Sequence, residues 1–287
     1  NIINKRILIT GGLGHIGSKL IHSINPDEFE EVRIIDNLST QRYPSLFNLP
    51  KNVNFSFVDD DLLKADLLYL TKGIDAVIHL SAIADATSSF EKKEAIEKVN
   101  YDATFRLAEA CIKNNSKLFF PSTTSVYSSQ SGQINENFPI KDLNPSSPYA
   151  LCKLKAEKIL IKSPTNMKLK FVICRFATIF GPSIGMRFHT AVNKFCWQAI
   201  IGKPLTVWET ALDQERPYLG VKDAVKTIKF LLKNDVFDNE IYNVLSSNKT
   251  VREIINYIRF YVPDLEISMV KSKIMNSISH NVESTKL

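Results

Sequence analysis

Apolar residues recur along this chain in two rhythms. Short aliphatic and β-branched runs predict buried strands at Arg6–Thr10, Val32–Asp36, Val53–Val58, Ala76–Leu80 and Lys117–Pro121. Between them, helical spacing of apolar residues predicts helices over Ile16–Ile24, Leu62–Leu70 and Glu91–Asn114, the last with Ile96, Val99, Ala103, Leu107 and Ala110 along one face. This alternation is the pattern of an α/β fold with a parallel, doubly wound sheet, which binds ligands at the carboxyl ends of its strands. Farther on, a helix opens at Tyr149, strands are expected at Lys168–Arg175, Leu205–Trp208 and Glu240–Val244, and helices at Met186–Ile201, Lys222–Lys233 and Thr250–Tyr261. No internal repeat, low-complexity segment or linker interrupts the pattern.

The first strand runs into Thr10-Gly11-Gly12-Leu13-Gly14-His15-Ile16-Gly17-Ser18, a tight turn that opens into a helix. Gly11 can turn the chain at positive φ, Gly14 leaves no side chain between backbone and ligand, and Gly17 lets helix and strand approach closely. The free N–H groups of such a helix suit a pyrophosphate, although a glycine triplet alone equally suits an ordinary turn. Asp36 ends the second strand, where a carboxylate can accept both ribose hydroxyls of an adenine dinucleotide and repel the extra phosphate of NADP; NAD is therefore the expected cofactor. The alternative is a solvated turn acid. Of Asp59, Asp60 and Asp61 after the third strand, Asp61 is the one placed to accept from an adenine amino group; the alternative is capping of the next helix. Small residues Ser81, Ala82 and Ala84 after the fourth strand let a dinucleotide lie close to the backbone, and His79 within that strand reads as a packed core histidine rather than a catalyst.

Composition narrows the class. With 287 residues and 44% hydrophobic content, the chain can bury a large core as one large α/β domain, or as a domain with a smaller appendage. No apolar run approaches the roughly 18 to 20 residues a bilayer helix needs, and the first strand begins without a signal-like apolar region, so a cytoplasmic enzyme with no membrane association is expected. The formal charge is +6, but the lysines are scattered among glutamates and asparagines with no basic stripe interleaved with aromatics. That favours a solvated basic surface suited to an anionic small substrate over a nucleic-acid partner. Cys111, Cys152, Cys174 and Cys196 form neither a CxxC pair nor a Cys/His cluster, so buried free thiols and no metal are expected.

Candidate catalytic residues follow the fifth strand. Ser122-Thr123-Thr124-Ser125-Val126-Tyr127 is a hydroxyl cluster at a strand end, and past a turn-rich loop Tyr149 and Lys153 share one helical face at i, i+4. A phenol near its reference pKa of about 10 is a poor base at neutral pH. A nearby ammonium and an oxidised nicotinamide favour the phenolate and make it a usable acid or base. The pair alone is common; behind a dinucleotide turn and opposite a hydroxyl cluster it is specific.

Taken together, these motifs resemble the extended short-chain dehydrogenase/reductases of the NAD-dependent epimerase/dehydratase type. The likeness runs through TGGLGHIG, Asp36-Asn37-Leu38, Asp61-Leu62, His79-Leu80-Ser81-Ala82, Asn100, Thr123 to Tyr127, Tyr149 with Lys153, Arg175 to Pro182, and Arg216-Pro217-Tyr218 ahead of Val221-Lys222-Asp223-Ala224. The resemblance implies a Rossmann-type NAD-binding domain over residues 1–176, carrying the Tyr/Lys helix. A smaller, mainly substrate-binding lobe over 177–287 is interleaved with the sheet. It implies that Tyr149 is the acid/base, that Lys153 holds the nicotinamide ribose and tunes Tyr149, and that Thr123 hydrogen-bonds the reacting oxygen. The cofactor would lie against Gly11, Gly14, His15, Ile16, Gly17, Asp36, Asn37, Asp61, Leu62, Leu80, Ser81, Ala82 and Asn100, besides Tyr149 and Lys153. In similar enzymes the second half grips a nucleoside diphosphate sugar; Arg216 is the candidate for the diphosphate, with Arg187 a second, and Ser125 and Thr178 also face the substrate. For both arginines the alternative is a structural ion pair.

The implied function is an NAD-dependent epimerase of a nucleoside diphosphate sugar, acting at C4 through a transient 4-keto sugar. The alternatives are an oxidoreductase on a smaller sugar or alcohol and a non-catalytic dinucleotide-binding scaffold. Family 4,6-dehydratases carry an Asp-Glu pair after the catalytic threonine, and the related decarboxylases keep the glutamate; Thr124 and Ser125 stand there in this chain, which points away from both. The resemblance also implies a homodimer, with helices 91–114 and 149–162 pairing with their copies. Two departures stand out. Thr178 replaces an Asn whose amide contacts the substrate phosphate in many members, and the chain ends at Leu287, earlier than many relatives.

Overall fold

Seven parallel strands form the centre of the molecule in a computed structural model. It describes residues 5–83, 93–128, 132–145, 147–162, 169–271 and 280–287. Ala84, the first two residues of the helix expected at 91–114, and Lys168 lie outside the described residues.

The first half contains β1 (Arg6–Thr10), α1 (His15–Ile21), β2 (Glu31–Asp36), β3 (Phe55–Asp59), α2 (Leu67–Thr71), β4 (Ala76–His79), α3 (Lys93–Glu97), α4 (Ala103–Asn114) and β5 (Lys117–Thr123). Next come β6 (Gly132–Ile134), α5 (Pro148–Lys162), β7 (Phe171–Phe176), β8 (Thr178–Phe180), α6 (Ala191–Ile200), β9 (Leu205–Trp208) and β10 (Glu215–Gly220). The chain closes with α7 (Val221–Lys233), β11 (Ile241–Val244), β12 (Ser247–Thr250), α8 (Val251–Tyr261), β13 (Ile267–Val270) and β14 (His280–Val282).

The central sheet runs β3-β2-β1-β4-β5-β7-β11. Every neighbouring pair in it is parallel. Both faces are therefore apolar and covered: Ile7, Ile9, Ile34 and Phe119 pack with Leu20 of α1 and Ile228 of α7. Leu8, Val77, Phe120 and Ile173 pack with Leu67 of α2, Leu107 of α4 and Leu160 of α5. This is the doubly wound Rossmann-type arrangement, and its strand order reverses between β1 and β4, which opens a crevice at their carboxyl ends.

The remaining strands make smaller sheets. β10 pairs antiparallel with β12 and parallel with β8, β13 pairs with β9, and β14 with β6. Phe195 of α6, Leu205 of β9, Tyr218 of β10 and Ile254 of α8 share a separate core. α8 starts in a capping box: the Glu253 N–H donates to Thr250 Oγ1 at 3.2 Å while the Glu253 carboxylate accepts the Thr250 N–H at 2.8 Å.

The element bounds shift where a side chain overrides the apolar rhythm. Residues Asp61–Ala65 turn instead of starting a helix, and Asp66, not Asp59 or Asp60, caps the short α2 by accepting the Tyr69 N–H at 3.0 Å. Arg106 of α4 donates to the Leu62 carbonyl and, at 3.2 Å, to that of Ala65, which holds the turn open. The helix expected at 91–114 is interrupted by a π-helical turn over Lys98–Asp102, the kind of insertion that concentrates at functional sites. The helix expected from Met186 begins at Ala191, after Thr190. β8 and the paired strands β6 and β14, of three residues each, are too short to show a periodicity.

Candidate functional site

Gly11 lies at φ +65, and a Cβ there would stand 2.7 Å from the Ser81 backbone, so the glycine turn of β1 presses directly on the end of β4. Gly17 is equally constrained: its missing Cβ would meet the Gly12 carbonyl oxygen at 2.6 Å. Gly14 is different, since a Cβ there would touch only the Gly11 oxygen at 3.4 Å. It is the N-cap of α1 and leaves the first turn, His15 and Ile16 included, without a shielding side chain. The three glycines thus form a cradle a pyrophosphate can enter, and the chain's residues fit a dinucleotide there.

Asp36 ends β2 and Asp61 follows β3. Asp36 Oδ2 accepts the Leu13 N–H at 3.2 Å and Oδ1 the Leu38 N–H at 3.0 Å. Burial raises its carboxyl above the usual range; these two hydrogen bonds and the charge of Arg42 oppose the rise. Arg42 is a neighbour the sequence did not single out. Asn37 donates to Asp61 Oδ2 at 3.3 Å, joining the loops after β2 and β3, while Asp61 Oδ1 takes the Leu63 N–H at 2.9 Å. Asp61 thus caps its own turn, while the capping of the next helix weighed as its alternative falls to Asp66, and Leu62 beside it is buried. Leu80, Ser81 and Ala82 are half-buried at the crevice.

His79 is a core histidine, with no exposed surface. Thr104 donates to the Asn100 carbonyl at 2.7 Å, so its oxygen must accept from His79 Nε2 (2.9 Å), and Nδ1 then accepts from Thr10 at 2.8 Å. Thr10 Oγ1 in turn accepts the Ser81 N–H at 3.3 Å. Burial, aided by the charge of Lys153, pushes the imidazole down to about 3 and keeps it neutral. At the far end of this chain the Asn100 amide, on the π turn, accepts from the Ile83 N–H at 2.8 Å and donates to its carbonyl at 2.9 Å. The π turn thus aims Asn100 at the loop after β4, a contact that a regular helix pattern does not reveal.

The hydroxyl cluster and the Tyr/Lys helix meet across β5 and α5. β5 extends through Thr123, whose Oγ1 accepts the Ser125 N–H at 3.1 Å and caps a 3-10 turn over Thr124–Tyr127. Thr123 and Thr124 are buried and Ser125 is half-buried. α5 begins at Pro148, with Ser147 Oγ accepting the Ala150 N–H at 3.2 Å. Lys153 is buried, donates to the Pro121 carbonyl at 2.8 Å and sits 4.6 Å from the centre of the Phe120 ring. Burial pushes its ammonium down to about 8, against the pull of Glu157.

Tyr149 is half-buried, and its surroundings push the phenol up to about 12. The cation that opposes this rise is Arg187. The charge of Arg187 also lowers the His15 imidazole, after burial. Arg187 belongs to a segment, Gly181–Thr190, that is tied to α1. His15 Nε2 donates to the Gly181 carbonyl at 2.8 Å, Ser183 donates to the His15 carbonyl at 2.8 Å, and the Gly185 N–H donates to Ser18 Oγ at 2.9 Å. These partners were missed because they lie far apart in sequence; Gly185 was their one visible signal.

Arg216 and Thr178 lie together on the smaller sheet, where Thr178 is paired with Tyr218, two residues beyond Arg216. Arg216 donates to His280 Nδ1 at 3.2 Å and to Gln214 at 2.9 Å, which orients its guanidinium; Thr178 is exposed. Cys111, Cys152 and Cys174 are buried and Cys196 is half-buried, and none of the four forms a disulfide. Among the described residues no group of three or more His, Cys, Asp or Glu side chains could hold a metal ion, and no helix is long and apolar enough to cross a membrane.

Known proteins are similar to this chain in sequence and in fold. The chain is 33% identical over 248 residues to the uncharacterized UDP-glucose epimerase YtcB of Bacillus subtilis (strain 168), covering 83% of this chain and 76% of that one. It is 29% identical to the dTDP-D-glucose 4,6-dehydratase of Dictyostelium discoideum over 88% of this chain, but spans only 62% of that protein. In structure it superposes with a TM-score of 0.84, at 28% identity, on a UDP-N-acetylglucosamine 4-epimerase from Methanobrevibacter ruminantium M1 in complex with UDP-N-acetylmuramic acid, over 98% of this chain and 90% of that one. Residues 7–244 match the description of one family throughout, from β1 to β11, and the chain belongs to it: the NAD dependent epimerase/dehydratase family.

Proposed function

We propose that this protein is an NAD-dependent epimerase of a nucleoside diphosphate sugar, inverting the hydroxyl at C4. Two observations support the reading: Lys153, on the helix that also carries Tyr149, donates to the carbonyl of Pro121 on the strand that ends in Thr123, and hydroxyl residues Thr124 and Ser125 stand where elimination chemistry needs carboxyl groups. The epimerase names of two of the relatives above support it. Gly11, Gly14 and Gly17 hold the pyrophosphate of NAD, Asp36 its adenosine ribose, Asp61 its adenine and Lys153 its nicotinamide ribose. NAD, when bound, supplies the hydride acceptor and donor.

The chain's own residues manage the proton and the orientation. Tyr149 takes the C4 hydroxyl proton and returns it, with Arg187 favouring the phenolate against burial. Thr123 hydrogen-bonds the reacting oxygen. Arg216, oriented by His280 and Gln214, holds the diphosphate with paired hydrogen bonds, and Thr178 and Ser125 line the sugar. The second half of the chain, 177–287, forms most of the substrate side, while β11 returns to the main sheet. Incubation with UDP-glucose, UDP-glucuronic acid and UDP-N-acetylglucosamine should give a product of unchanged mass and inverted configuration at C4, read by mass spectrometry and NMR. Loss of water from a good substrate would make the protein a dehydratase and end this reading.

We also propose a two-fold homodimer in which α4 and α5, with exposed Phe105 and Ile161, pair with their copies. Sedimentation as a monomer at micromolar concentration would refute it.

A further inference from the structure

One buried ion pair grips the Thr123 turn at both ends. Ser122, just before Thr123, donates its hydroxyl to Glu157 Oε1. Tyr127, which closes the turn, accepts from Arg175 Nη1 at 2.6 Å. Glu157 and Arg175 hold each other by two N–H···O bonds, Nε to Oε1 at 3.0 Å and Nη2 to Oε2 at 2.6 Å, and both side chains have 0% exposure. The guanidinium lies 4.9 Å from the centre of the Tyr127 ring, and the Tyr127 hydroxyl donates to Asn243 Oδ1 at 3.0 Å. On α5, Tyr149, Lys153 and Glu157 follow one another at i+4 steps on one face. The pair therefore joins the turn that carries Thr123 to the helix face that carries the other two reactive residues.

Stability does not explain this arrangement. Taking both charges out of water costs about as much as their attraction returns, and apolar residues of the same volume often serve equally well. What hydrocarbon cannot do is fix Ser122 and Tyr127 by directed hydrogen bonds. We propose that Glu157 is a positioning residue for the reaction: through Ser122 and Arg175 it sets where Thr123 stands relative to Tyr149 and Lys153, and it is the counter-charge of the Lys153 ammonium. The inference rests on the catalytic reading of those three residues.

Electrostatics agrees with the geometry. Burial disfavours the Lys153 ammonium, and Glu157 is the main group pulling the other way, helped by Cys152 on the same helix. His79, reached by the Lys153 charge from β4, is neutral and adds no charge. Arg175, although desolvated, is held charged by the carboxylate of Glu157, so the same carboxylate favours both cations.

Glu157→Gln keeps the shape and removes the charge. We expect kcat on the nucleotide sugar to fall roughly 10- to 100-fold, the cost of a small misplacement of reacting groups, with KM little changed. The Lys153 ammonium, followed by NMR of isotope-labelled lysine and assigned with Lys153→Arg, should lose its proton about one pH unit lower, as expected when a neighbouring opposite charge is removed. That titration needs no turnover, so it tests the role of Glu157 even if the protein converts no nucleotide sugar. The double variant Glu157→Met/Arg175→Met should retain the melting temperature while losing the rate. Full activity in the double variant, or an unmoved Lys153 titration in Glu157→Gln, would overturn the proposal. Failure of the double variant to fold would assign the pair to the fold alone and overturn it as well.

Discussion

The Cβ that Gly185 lacks would stand 2.3 Å from the Leu13 carbonyl oxygen, so the segment after β8 is seated directly on the glycine turn after β1. With the Gly181, Ser183 and Gly185 hydrogen bonds to α1, that contact makes the cradle and the segment carrying Arg187 a single unit. Gly185→Ala must push the two apart. We expect a stability loss of about 1 to 3 kcal/mol, the usual cost of overpacking, by denaturant unfolding, and weaker NAD binding by calorimetry. Wild-type values for both would show that the segment yields freely.

Tyr149→Phe keeps the ring and removes the hydroxyl. Turnover should fall by something on the order of 10² to 10⁴, the range for a lost general acid/base, while NAD binding is retained. A variant that turns over at the wild-type rate would remove Tyr149 from the mechanism.

Asp36 offers its carboxylate at the end of β2, where it accepts two backbone N–H groups and is partly neutralised by Arg42. NAD should bind more tightly than NADP, and Asp36→Ala should narrow the difference. Because Arg42 is a cation that can meet a phosphate, the double variant Asp36→Ala/Arg42→Ala should bind NADP less well than Asp36→Ala alone. Equal affinities of the wild type for the two dinucleotides would count against the ribose role.

Acid should test His79. Its folded value of about 3 lies below the ordinary 6.5, because burial and then the Lys153 charge disfavour the imidazolium. A depressed value means that the unfolded chain takes up a proton which the native chain does not. The stability gained by keeping His79 neutral is thus complete above about 6.5 and is lost as pH falls from there towards 3, at up to about 1.4 kcal/mol per pH unit. His79→Gln, which does not titrate, should show a shallower decline over that window in denaturant unfolding at stepped pH. Identical slopes would mean that the imidazole is protonated in the native state.

The local chemistry of this protein was legible in its sequence. The glycine turn, the acid ending β2, the small residues after β4, the Tyr/Lys spacing and the strand and helix alternation all act within one or two elements. Turn geometry, side-chain size and helical period are properties of adjacent residues, so a sequence displays them directly. Asp61 illustrates the limit: its neighbourhood identified it, but only the bond from Asn37 shows that it joins two loops.

Tertiary structure decided the rest, for physical reasons that no window of sequence contains. Asn100 meets Ile83 because a π turn interrupts a helix whose apolar period gives no sign of it. Arg187 is the cation opposing burial at Tyr149, since a charge acts through space and Arg187 arrives on a segment whose Gly185 is bonded to Ser18 of α1, 167 residues away. The Glu157–Arg175 pair, finally, joins a helix to a strand with no exposed surface on either side chain. In the sequence, Glu157 is one more charged residue and Arg175 only the head of a motif; packing alone makes them partners, because a buried charge without a partner is costly in a medium without water.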